Sequence, residues 1–186
     1  MIPISLDPRA LSLALAGAGA GLVRRLALLR AGGGEAIAVF SPDPAPEIAR
    51  AAGPQLRPRL PAAEEIAGFA ALWVVGLPPS EAAPLARAAR AARVLVNVED
   101  VPALCDFHNA AELRRGDLLL AISTGGRAPG LAAALRRRLE TLLGVEWEAR
   151  AAAVAARRAD WRAAGRGMAE VAALTEAALG ETGWPA

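Results

Sequence analysis

Between Asn97 and Glu140 the chain gathers most of the side chains able to do chemistry. Asn97-Val98-Glu99-Asp100 comes straight off an apolar run and is followed by Cys105-Asp106-Phe107-His108, Arg114-Arg115-Gly116-Asp117 and Ala121-Ile122-Ser123-Thr124-Gly125-Gly126-Arg127. An acid at the end of one strand and a Ser-Thr-Gly-Gly turn at the end of another make two polar loops on apolar supports, the usual construction of a cleft. Asp100 is there either as a proton acceptor or as the cap before Val101-Pro102. His108, the one histidine, either relays protons or touches a metal ion, or is an ordinary hydrogen-bonded residue. Cys105, in an apolar neighbourhood, reads as a small buried filler. Ser123 has no histidine at a recognisable triad spacing, so a hydrolase is not supported.

Those loops need a scaffold, and the first hundred residues alternate strand and helix patterns. Leu11 to Ala16 is a short apolar run ended by Gly17-Ala18-Gly19-Ala20-Gly21, and Leu22, Leu26 and Leu29 then recur at helical spacing up to Gly32-Gly33-Gly34. With Glu35 to Phe40 as a second strand, the opening is a βαβ unit. Glycines at such a turn either admit a pyrophosphate to the backbone and helix start, or serve tight packing alone. Asp43 lies 22 residues after Gly21, in the range of an acid that reaches a ribose hydroxyl. Pro46 to Ala52 predicts a helix, Gln55 to Leu60 a short strand broken by Pro58, and Ala62 to Ala67 a helical turn. Ala70 to Val75 is a strand buried on both faces, with Gly76 ending it and Ser80 as the cap of a helix through Ala92. Val94 to Val96 is the next strand. The expectation is an α/β fold, a Rossmann-like parallel sheet whose ligands sit beyond the strand carboxyl ends, where Gly17, Gly76 and Asn97 to Asp100 all fall.

After Asp106 the pattern changes. Phe107 to Leu113 and Asp117 to Ile122 predict paired strands, and from Ala128 onward the chain reads as helix. Leu131, Leu135, Leu139 and Leu142 share one face, opposed by Arg136, Arg137 and Arg138, and the segment from Val145 to Leu179 carries Trp147, Trp161, Val171 and Leu174. An apolar helical stripe with no sheet of its own needs a surface to pack on, and a second copy of the chain is a natural one. The expected division is 1–106, 107–143 and 144–186: a nucleotide-binding domain, a small α+β domain and a helical tail.

Composition narrows the functions further. At 54% apolar over 186 residues the chain can bury a core, and charges, Gly or Pro interrupt every candidate membrane span. The start of the chain lacks the pattern of a secretory signal, which places it in the cytoplasm. A single cysteine forms no internal disulfide, and with one histidine makes no ordinary structural zinc site. There is no lysine, which excludes Schiff-base chemistry, and 21 arginines among 19 acids leave a net charge of only +2, too balanced for a nucleic-acid stripe.

Asn97-Val98-Glu99-Asp100, Cys105-Asp106-Phe107, Arg115-Gly116-Asp117-Leu118, Ala121 to Ala132, Leu135-Arg136 and Leu139-Glu140 together closely resemble the precorrin-2 dehydrogenase/sirohydrochlorin ferrochelatase family of siroheme biosynthesis. The resemblance implies NAD-dependent oxidation of precorrin-2 to sirohydrochlorin in a homodimer, with ferrous iron in some members inserted to give siroheme. It matches Asp100 to the catalytic aspartate. Gly17, Gly19, Ala20, Gly21, Pro42, Asp43 and Gly76 fall to the NAD site, and Asn97, His108, Ser123, Thr124, Gly125, Gly126 and Arg127 to the tetrapyrrole. Arginine forks suit the carboxylates of such a substrate, with Arg127 first and Arg114 and Arg115 behind it, the latter two being equally well solvated turn residues. The chain departs from the family's Gly-Gly-Gly turn, and Gly76-Leu77-Pro78-Pro79 stands where Thr and Asp residues are usual. The competing expectations are a carrier or sensor of the same fold that binds nucleotide or tetrapyrrole without turnover, and a chelatase that uses no nucleotide.

Overall fold

A computed structural model describes residues 2–181; Met1 and residues 182–186, the ends of the first and last expected segments, lie outside the described residues. The chain forms two compact units, one running to His108 and the other beginning at Asn109.

In the first unit, β1 (Leu13–Gly17), β2 (Ile37–Phe40), β3 (Leu56–Arg57), β4 (Ala71–Val75) and β5 (Leu95–Val98) form one sheet in the order β3-β2-β1-β4-β5, and every pairing is parallel. The central strands β1 and β4 are buried throughout, as they must be with helices on both faces. One face packs Leu13, Leu15, Val39 and Trp73 against Leu22 and Leu26 of α1 (Gly19–Ala31) and Ile48 and Ala52 of α2 (Pro46–Ala52). The other packs Ala14, Phe40, Leu72, Val74, Val96 and Val98 against Ile66 of α3 (Ala63–Ile66) and Leu85, Ala86 and Ala89 of α4 (Pro79–Ala91). Strand order reverses direction between β1 and β4, and the crevice at that switch point is where ligands of this architecture lie.

The elements differ from the sequence expectation in informative ways. Helix α1 begins at Gly19, so the last glycine of the turn lies inside its first turn. Helix α4 begins at Pro79, not after Ser80, because the fixed φ and missing N–H of proline suit the first helical position. Strand β3 shrinks to two residues, since Pro58 has no N–H to continue the ladder. Strand β5 runs on to Val98, and Phe107 is not in a strand: its ring packs edge-on against Trp73, centroids 5.1 Å apart, and so belongs to the first unit.

Beside β2, Arg57 and Arg59 stand over the Phe40 ring, 5.0 and 5.7 Å from its centroid, and both reach Glu65 of α3. The Glu65 carboxylate also accepts the Ala62 amide at the helix start. The Arg59 hydrogen bonds, then the Ala62 amide, hold the Glu65 carboxyl down at about 2. A folded-state value below the unfolded one gives stability that is present above the usual carboxylate range and lost as the pH falls toward 2. Glu65→Gln is therefore expected to flatten the acid limb of stability between about pH 4.5 and 2 and leave neutral-to-alkaline slopes unchanged. Acid denaturation followed by circular dichroism checks this; an identical acid limb in the variant counts against it.

In the second unit, β6 (Ala111–Arg115) and β7 (Leu118–Ile122) pair antiparallel with Arg115 opposite Leu118. The two-residue loop between them starts with Gly116 at φ +56°, the glycine-first arrangement that matches strand twist. Three helices follow: α5 (Pro129–Leu142), α6 (Glu146–Ala163) and α7 (Met168–Glu181). Trp147 and Val171 are buried, while Leu131, Leu135 and Leu142 on α5 remain exposed.

Candidate active site

The glycine turn shows three different uses of a missing side chain. A Cβ on Gly17 would stand 2.0 Å from the Val75 carbonyl oxygen, so glycine here is required by the neighbouring strand, to which Ala18 N–H also donates at 3.0 Å. Gly76, at φ +65°, closes the same contact from the other side, where a Cβ would lie 2.6 Å from the Ala18 carbonyl oxygen. Gly19, at φ +70°, faces open space with no atom within 4 Å of the Cβ position. That opening lies at the start of α1, whose N-cap Ala18 offers no side-chain acceptor and whose first turn contains no acid. The helix-start N–H groups and dipole thus have no cap or acid from their own turn, the arrangement that suits an anion. Gly21 packs close to the sheet, a Cβ there standing 3.0 Å from Val75 Cγ1. Gly17 thus admits the neighbouring strand, Gly19 leaves open space and Gly21 permits the helix–strand contact. Ala20 lies in the same first turn, and Pro42 and Asp43 are exposed just beyond β2 on the same edge of the sheet.

Asp100 projects from the adjoining edge. Val101 N–H donates to Val98 O at 3.2 Å, closing a four-residue turn with Asp100 third, at φ +60°. Third position and positive φ are those of a type II turn, which asparagine and aspartate tolerate better than other side chains. Asp100 itself is exposed.

The loop carrying Asp100 is tied back onto β5 along its return. Asp106 N–H donates to Val96 O at 2.7 Å, and the Asp106 carboxylate accepts Val96 N–H at 3.1 Å and Arg90 Nε at 2.8 Å. The Cys105 thiol has Val98 O at 3.1 Å and accepts Val98 N–H at 3.3 Å. Asn97 is 5% exposed, and its side-chain amide donates to Phe107 O at 2.8 Å and reaches Cys105 Sγ at 3.4 Å. Asn97, expected at the substrate, thus also braces the loop through its side-chain amide. Cys105 takes part in the same bracing and is more than a filler.

In the second unit the Ser-Thr-Gly-Gly turn leads into α5. Ser123 Oγ accepts Gly125 N–H at 3.2 Å and Thr124 Oγ1 accepts Ala128 N–H at 3.1 Å, while Gly125 and Gly126 both take positive φ. Arg127 is exposed beside them. Arg115 Nε donates to the carbonyls of Leu143 and Gly144, at 3.0 and 3.1 Å, and so closes the end of α5. Arg114 makes an open contact with Glu112 at 3.4 Å. His108, half-buried, ends the first unit. Among the described residues no helix is long and apolar enough to cross a membrane.

Sequence reasoning missed Glu99. Its carboxylate Oε2 lies 3.1 Å from the Cβ position of Gly21, where the first turn of α1 meets the sheet. The only signal was strand alternation: with Val96 and Val98 on the α4 face, the odd-numbered residues of β5 must face α1.

A five-stranded parallel sheet with a glycine cradle at its switch point defines a dinucleotide-binding protein. By its match over residues 4–111 to the family model described as "Putative NAD(P)-binding", the chain belongs to that family. Residues 115–142 match a second model, described as "Sirohaem biosynthesis protein central". The chain is similar to a siroheme synthase of Methylococcus capsulatus, 35% identical over 144 residues, which are 76% of this chain and 30% of that protein. It is also similar to the siroheme biosynthesis protein met8 of Schizosaccharomyces pombe, 33% identical over 63 residues, 34% of this chain and 24% of that one. It thus spans under a third of the length of these curated relatives. The solved structure of SirC, described as a precorrin-2 dehydrogenase, superposes with a TM-score of 0.70 over 95% of this chain and 88% of that one at 21% identity, so the fold is shared.

Proposed function

We propose that the protein dehydrogenates precorrin-2 to sirohydrochlorin with NAD⁺ as hydride acceptor, acting as a cytoplasmic homodimer. The observation that carries the reading is the pairing, on one sheet edge, of an open helix start at Gly19 and an exposed carboxylate at Asp100, whose backbone is set at positive φ. Siroheme-synthase relatives and the central-domain match support the substrate class. Bound NAD⁺ would take up a hydride. The chain's own contribution is to seat the pyrophosphate on the α1 start, to aim the nicotinamide with the β1 and β4 turns, and to accept at the Asp100 carboxylate the proton that leaves with each hydride. Asn97, Cys105 and Asp106 brace the loop that carries Asp100. Ser123, Thr124, Gly125, Gly126, Arg127 and His108 are proposed to meet the tetrapyrrole, whose acidic side chains suit the Arg127 fork.

Leu131, Leu135 and Leu142, exposed along α5, support the pairing of two copies through the second unit, with residues 107–143 as the dimerisation element and the remainder as tail. The name of the curated relatives extends the proposal to ferrous iron as a second substrate. Purified protein given precorrin-2 and NAD⁺ is expected to yield NADH with the sirohydrochlorin absorption spectrum, and added ferrous iron to convert that spectrum to siroheme. Tight binding of nucleotide and tetrapyrrole with no NADH formed would replace the enzyme by a carrier.

A further inference from the structure

We propose that Glu99 is an internal anion of the dinucleotide cradle: its carboxylate serves the start of α1 in the free protein and opposes the pyrophosphate in the bound one. The proposal rests on the reading of the glycine turn as the pyrophosphate seat. Three observations lead to it. The start of α1 carries neither a side-chain cap nor an acid in its own first turn, so the positive end of its dipole has no local counter-charge. Strand β5 delivers one from elsewhere: Glu99 N–H is fixed to Val74 O at 2.9 Å, and the half-buried side chain brings Oε2 to 3.1 Å from the Cβ position of Gly21, the third residue of the helix. The Arg24 guanidinium approaches the same point, Nη2 at 3.7 Å. The cradle is therefore flanked by one carboxylate and one guanidinium, and they respond oppositely to an arriving pyrophosphate. Arg24 attracts it and the half-buried Glu99 repels it, and between partly desolvated groups charge–charge energies exceed those in bulk water.

A cradle built this way holds its nucleotide less tightly than its glycines and helix start alone would, which favours release of NADH after hydride transfer. Glu99→Gln removes the charge and keeps the shape; Glu99→Ala removes both. NADH titrations followed by nicotinamide fluorescence are expected to show about five- to tenfold tighter binding in both variants. That gain should shrink in high salt as the charges are screened. Adenosine, which has the base and ribose without phosphate, is expected to compete equally well in all three proteins. In the free protein Glu99→Gln is expected to lower the thermal midpoint, since the helix loses its counter-charge. Unchanged or weaker NADH binding in the variants overturns the proposal, the latter pointing to a carboxylate that grips a ribose. If wild-type protein fails to bind NADH at all, the cradle reading itself falls and takes the proposal with it, an outcome distinct from a variant-independent affinity.

Discussion

Replacing Asp100 by asparagine is expected to cut NADH formation from precorrin-2 by about 100- to 10,000-fold, the range that removal of a positioned proton acceptor commonly produces. Asparagine is the informative choice because the residue sits at φ +60°. Asparagine and aspartate enter that region more readily than alanine, for which left-handed backbone costs roughly 1–2 kcal/mol. The carboxamide keeps the size and polarity of the side chain and cannot take up a proton. The loop should survive intact, since its ties run through Asn97, Cys105 and Asp106 and not through Asp100. An unchanged circular dichroism spectrum and NADH dissociation constant, together with the collapse in turnover, make up the expected result. Turnover within about threefold of wild type would take Asp100 out of the chemistry altogether.

Two substitutions in one turn are expected to fail for different reasons. Gly17→Ala places a methyl group 2.0 Å from the Val75 carbonyl oxygen, between strands of the sheet centre that have no room to part. Overpacking of this kind costs roughly 1–3 kcal/mol and occasionally more, and because the obstacle is backbone the upper end is expected. The variant should lose several degrees or more of thermal stability and, with them, soluble yield. Gly19→Ala meets open space. Its penalty is the positive φ alone, about 1–2 kcal/mol, and the protein should fold. Its methyl group would then occupy the room that the pyrophosphate needs, so NADH affinity is expected to fall at least tenfold, about 1.4 kcal/mol. Thermal melts and fluorescence titration separate the two effects. Should Gly19→Ala bind NADH as well as wild type, the pyrophosphate does not lie over that residue.

Much of the architecture was already written in local patterns. The unbroken apolar runs of β1 and β4, the leucines of α1 at helical spacing and the span of α2 specify a parallel sheet with helices on both sides, because burial on two faces leaves no position for a polar residue. The identity and order of Asn97 to Asp100 and Ser123 to Arg127 were legible for a similar reason: short polar loops between apolar segments stand out. Boundaries were less legible. The start of α4 at Pro79 and the assignment of Phe107 depended on competition between neighbours, proline against Ser80 in one case and the Trp73 ring against a strand partner in the other.

By itself the sequence determined which residues are small, charged or apolar and in what order, which is enough to settle the sheet, its helices and the loops at its carboxyl edge. Only the tertiary structure decided which glycine faces open space and which merely admits a neighbouring strand, since all three lie in the same Ala-Gly run and differ only in what stands opposite. It also gave Asn97 and Arg115 backbone partners as braces and brought Glu99 to the first turn of α1. Hydrogen-bond partners and the approach of charges from distant strands are properties of position in space, and no spacing along the chain encodes them directly.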